Sequence, residues 1–177
     1  MKRQMSWALL AGGIALAAAT ATAVPAAAAT SGSETFKGAI VTSGVSGTGP
    51  VITSVTIAKG AFSGVGRIVE LENQPGDEDH VSRVDLVFAR GSIHLVNTTL
   101  GDPQPSVNPR SCVATITIHQ TGAIVSGTRQ FTIATGSLSS TVTVRAVLAR
   151  NPDGSCSFEH EPLHEVDLIT ATGTLSF

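Results

Sequence analysis

The sequence predicts an all-β fold of about eight strands, and three observations carry that reading. Thr, Ser, Val and Ile are abundant while Lys, Glu and Leu are scarce, which is the composition of strands and turns. Apolar and polar side chains alternate with period two in several windows. Glycine-rich and proline-rich clusters separate those windows, and no 12-residue window carries a capped helical stripe.

The first element is not a strand. Lys2 and Arg3 precede an apolar run from Trp7 to Ala19, and Ala27, Ala28 and Ala29 supply small residues for cleavage. This is the three-part secretory pattern. The run is shorter than the roughly 20 residues that span a bilayer as a helix, so residues 1–29 are expected to be a signal peptide and not a membrane anchor. No cysteine lies near the cleavage site and no arginine pair precedes the run, which argues against a lipoprotein and the twin-arginine route. Removal leaves 148 of the 177 residues, a length suited to one domain over 30–177. The mature chain has 9 basic against 13 acidic residues, and Lys37 and Lys59 are its only lysines. Nucleic acid is therefore not an expected partner, and no cationic amphipathic helix is present to lie on a membrane.

Strands are expected from Glu34 to the C-terminus. Val51, Thr53, Val55 and Ile57 oppose Ile52, Ser54, Thr56 and Ala58; Ser82, Val84, Leu86 and Phe88 oppose Val81, Arg83, Asp85 and Val87. Cys112, Ala114, Ile116 and Ile118 oppose Val113, Thr115, Thr117 and His119, and Val142, Val144, Ala146 and Leu148 oppose Thr141, Thr143, Arg145 and Val147. Each run has an apolar face and a mixed one. Turns are expected at Thr42–Pro50, Asn73–Asp79, Gly101–Arg110 and Asn151–Gly154, where Ser46 reads as a turn residue. Even strand spacing suits a barrel or a sandwich, and a barrel also removes the edges that so few lysines would leave unprotected. The last strand, Val166 to Phe177, is expected to close the sheet.

The two cysteines of the exported chain, Cys112 and Cys156, are expected to pair in an oxidising compartment. Two thiols without further ligands at short spacing do not make a zinc site.

Three segments carry a family resemblance: Val84-Asp85-Leu86-Val87-Phe88-Ala89-Arg90-Gly91-Ser92-Ile93, then Gly127-Thr128-Arg129-Gln130-Phe131-Thr132-Ile133-Ala134-Thr135-Gly136, then Ala171-Thr172-Gly173-Thr174-Leu175. In this order they resemble the dirigent and allene oxide cyclase group. Arg129 stands where the second glycine of the group's hairpin signature is usual. The resemblance implies an eight-stranded antiparallel, calycin-like barrel with a central cavity, often a trimer. With the alanine-rich leader, it suggests a secreted bacterial, actinobacterial-type member rather than a plant enzyme. The match covers the scaffold signature and no catalytic residue, and the chain has no tyrosine to serve as an acid or base.

Glu70, Arg83, Asp85, His94 and Arg145 are titratable or charged side chains inside expected strands, and they are the candidate ligand-binding residues. Parity puts Arg83 and Asp85 on one face. Turned inward they would need pairing and would have shifted pKa values; turned outward they are solvent-facing, which the apolar opposite faces favour. An oligomer interface is a third role for that face. His160 and His164 flank Pro162, which disfavours a helix, and in a strand they would lie about 13 Å apart. A turn at Glu161-Pro162 would bring them together; otherwise the polar stretch from Glu159 reads as a solvated loop before the last strand. Asp77-Glu78-Asp79-His80 reads as an acidic turn lacking calcium-loop spacing. Neither metal nor cofactor is expected, and Asn97-Thr98-Thr99 is a glycosylation acceptor by chance alone. The expected function is binding of a small apolar molecule in the barrel. A cofactor-free cyclase or stereochemical guide is the first alternative, and a structural or interaction module of the cell exterior is the second.

Overall fold

The computed structural model describes residues 29–43 and 51–177. The expected signal peptide, Ala29 apart, and the turn around Ser46 lie outside the described residues. Nine strands follow in order: β1 (Ser31–Ser43), β2 (Val51–Gly60), β3 (Ser63–Leu71), β4 (Val81–Phe88), β5 (Gly91–Leu100), β6 (Ser106–Asn108), β7 (Val113–Gly127), β8 (Thr135–Val147) and β9 (His164–Ser176). Eight of them form a closed antiparallel barrel in which each strand pairs with its neighbour in the chain, β5 passing to β7, and β9 returns to β1. The last strand pairs along its whole length with both β1 and β8, from Ser31↔Ser176 to Ser43↔His164 on one side. Strand β6 only adds a three-residue edge to β7. No helix among the described residues is long and apolar enough to cross a membrane.

Period-two alternation becomes inside and outside once the ring closes. In β4 the buried residues are Leu86 and Phe88, and in β8 they include Leu138 and Ala146. Strand β2 differs from the expectation that the more apolar face turns inward. Its buried residues are Thr56 and Ala58, while Val55 and Ile57 are exposed. The interior there is already occupied by large neighbours, with Phe36 opposite Ala58 on β1, so small residues fit the wall.

One end of the barrel is sealed. Phe62 packs edge-on against Phe88 and Phe131, with ring centres 4.9 and 5.0 Å apart, and Phe131 meets Phe177 at 5.1 Å. Phe131 sits in a single 3₁₀ turn, Arg129–Phe131, between β7 and β8. Beside it, a Cβ on Gly91 would lie 2.2 Å from the Thr128 carbonyl oxygen, and one on Gly127 would lie 2.4 Å from that of Phe131. Both positions therefore admit only glycine. Glu34 is buried here, its Oε2 accepting the Phe62 N–H at 2.8 Å, which satisfies a backbone donor at the β2–β3 turn.

Arg129 has φ 53°, a left-handed conformation that costs a non-glycine residue about 1 kcal/mol. Its side chain is exposed. Arg129→Gly is expected to raise stability by about 0.5 kcal/mol after the larger unfolded-state entropy of glycine is deducted. A thermal melt reads it; an unchanged or lower midpoint would show that the arginine side chain contributes more than its backbone costs.

Candidate functional site

Above the phenylalanines the barrel holds a cavity of about 200 Å³. Its wall is mostly aliphatic, with Ile40, Leu86, Leu95, Ile118 and Ile169 among the lining residues. Among the polar groups on it are Asn97 of β5, Gln120 of β7 and Ser140 of β8, beside Thr56, Ser82, Glu70 and Asp167. Ser140 Oγ donates to Gln120 Oε1 and Gln120 Nε2 donates to Thr99 Oγ1, both at 3.4 Å. Gly122 leaves the space that the Asn97 amide occupies, since a Cβ there would lie 2.7 Å from Asn97 Oδ1.

The ladder between β2 and β3 runs only from Thr56↔Gly66 to Lys59↔Ser63. Beyond it, the Ser54 hydroxyl inserts between the strands, accepting the Ile68 N–H at 3.0 Å and donating to the Ile68 carbonyl at 2.5 Å. A hollow at this seam shares Ile40, Ile68 and Glu70 with the cavity.

Of the five candidate residues, only Glu70 lines the cavity. Arg83, Asp85, His94 and Arg145 alternate with lining or buried neighbours and so take the outer face. Arg83 clamps the acidic turn: its Nε and Nη2 donate to the two oxygens of Asp77 at 2.7 and 2.9 Å. That guanidinium, with the Gln74 N–H, holds the Asp77 carboxyl down at about 2. Asp85 and His94 are cross-strand partners joined through Asp85 Oδ1 and His94 Nδ1. Arg145 lies between Thr115 and Val166 in the register. The candidate set is thus split by the wall of the barrel and forms no common site.

Asp167 is the residue that sequence reasoning missed. It falls inside the expected last strand, which begins at His164 rather than Val166, but it was not among the candidate residues, and it lines the cavity. Parity along the strand was the available signal, because Asp167 shares a face with Ile169, Ala171 and Leu175. Its Oδ1 is buried and has no hydrogen-bond partner. Burial, then the charges of Glu165 and Glu70, push its carboxyl up to about 6. Asn97, first read as a chance acceptor motif, also faces inward. Among the described residues, no group of His, Cys, Asp and Glu converges as a metal site.

A carboxyl raised from 3.8 to about 6 favours the fold in its protonated form. Its contribution is therefore complete below pH 3.8 and is lost as pH rises through about 6. The full shift corresponds to about 3 kcal/mol, which solvent screening of this half-buried group reduces to about 1 kcal/mol. Asp167→Asn is expected to gain stability relative to the native chain between pH 4 and 7, and to gain nothing further above. Melts across that range measure it; a pH-independent difference would place Asp167 in bulk solvent.

No protein-family model matches the chain, and neither a curated protein nor a solved structure is similar enough to count as a match.

Proposed function

We propose that the exported barrel binds a small, mainly apolar molecule in its central cavity without a cofactor. The cavity carries this reading. A 150 Å³ apolar cavity in another protein holds benzene, so about 200 Å³ suits a substituted single ring or a compact aliphatic of similar size. The few polar groups on the wall would orient such a molecule. The disulfide-distance cysteines support an extracytoplasmic setting.

A cofactor-free isomerase or cyclase of the dirigent and allene oxide cyclase kind is the second reading. Its support is a carboxyl held near neutrality in an aliphatic wall, placed to exchange a proton with a bound molecule. The three resembling segments add support, since they build the β4–β5 hairpin, the β7–β8 turn and the end of β9. Arg129 adopts a glycine-like conformation where that group usually has glycine. The third reading, an interaction module, draws on the outer wall, where Ile57 faces Val65, and Val55 and Leu168 flank Ala39, all but the alanine exposed. A second copy covering that stripe would make the homo-oligomer, a trimer by resemblance.

Native mass spectrometry of the mature chain from an oxidising host, followed by denaturing extraction, tests the cavity and reads the assembly mass with it. A bound small molecule, or uptake of added benzyl alcohol, is expected. Val142→Phe, which fills the cavity from β8, is expected to abolish either while keeping the fold. A barrel that stays empty with the probe present overturns the proposal.

A further inference from the structure

Among the described residues, the charged side chains on the inward faces of the barrel are all acidic. Asp167 lies on β9 with Glu165 two residues before it, and Glu70 enters from β3. The residues opposite Asp167 on the flanking strands are Ile40 of β1 and Val144 of β8, and those opposite Glu165 are Thr42 and Ala146, so neither strand brings a charge there. Among the described residues, no lysine, arginine or histidine lines the cavity. The nearby cations are engaged elsewhere or face out: Arg83 holds Asp77, Arg145 projects from the other face of β8, and Arg67, which borders the seam hollow with Glu70, is exposed on the outward face of β3.

A buried carboxyl oxygen without a partner is costly, and a plain hydrocarbon in the cavity would leave that cost in place. An acidic ligand would add repulsion. We propose, building on the cavity-binding reading, that the ligand is a small apolar amine, its ammonium group at Asp167 with Glu70 as the second acidic group of the lining and its apolar body lodged among Leu86, Leu95 and Ile169. The length of the site fits this division. Asp167 and Glu70 lie towards the end of the barrel away from the phenylalanine seal, while the aliphatic depth continues to Phe36 and Ala171 above that seal. An ammonium ion supplies charge-assisted hydrogen bonds that a hydroxyl does not.

The discriminating experiment is calorimetric titration of the mature chain with benzylamine and with benzyl alcohol, which differ chiefly in the charged head. Benzylamine is expected to bind roughly ten-fold or more tightly at pH 7.5, and that preference is expected to shrink by pH 5 as Asp167 takes up a proton. Asp167→Asn should bring the two probes close to parity while retaining benzyl alcohol. Glu70→Gln should weaken the preference less, being more exposed, and Asp85→Asn on the outer wall should leave it unchanged. Equal binding, or preference for the alcohol, overturns the amine and leaves the cavity reading intact. Binding of neither probe overturns both. A preference that survives Asp167→Asn removes the carboxyl from the site.

Discussion

Phe131→Ala is expected to lower the unfolding free energy by about 3–5 kcal/mol, the range for truncating a fully buried phenylalanine. The ring has no exposed surface and touches Phe62 and Phe177 edge-on, with Phe88 at 6.3 Å. It hangs from a short turn, not from a strand, so the backbone has little means of collapsing around the void. A domain of this size should lose roughly 10 °C in melting temperature. A loss of only a degree or two would mean that the turn repacks and that the barrel is sealed by the other rings.

Reduction of the Cys112–Cys156 bridge should produce a loss of comparable size at the opposite end. The pair closes a separation of 44 residues with Cα atoms 5.4 Å apart, and the loop-entropy argument assigns such a closure about 4 kcal/mol. Cys112 is buried against Ala146 and Leu148 in a small second core. Cys112→Ser is expected to melt early under oxidising conditions and to match the reduced native chain. Equal melting with and without reductant would show that no bridge forms in solution. The two lesions lie at opposite ends of the barrel, so the Phe131→Ala and Cys112→Ser losses should add to within about 0.5 kcal/mol.

Much of this architecture is legible before any coordinates. The alternation through Ser82–Phe88 and Thr141–Leu148 marks strands because side chains on an extended backbone point to opposite sides, and a count of two cysteines beside an expected export leader points to the bridge. The site is less legible. Arg83 and Asp85 drew notice as charges within a strand, yet they face outward and serve the turn and the neighbouring His94. Asp167 escaped notice because the polar run before it, Glu159 to Glu165, gives way to the strand without a composition break.

Local chemistry determined that the chain is β and that each strand has two unlike faces, and it placed the turns at Asn73–Asp79 and Asn151–Gly154, while the short strand β6 forms inside the turn expected at Gly101–Arg110. Only ring closure decided which face is the interior. Parity is relative within a strand, and it becomes inside or outside through the register with seven other strands. That is why β2 turns Thr56 and Ala58 inward and leaves Val55 and Ile57 exposed. It is also why Glu70 and Asp167, far apart in sequence, reach one cavity while Arg83, Asp85, His94 and Arg145 remain outside it.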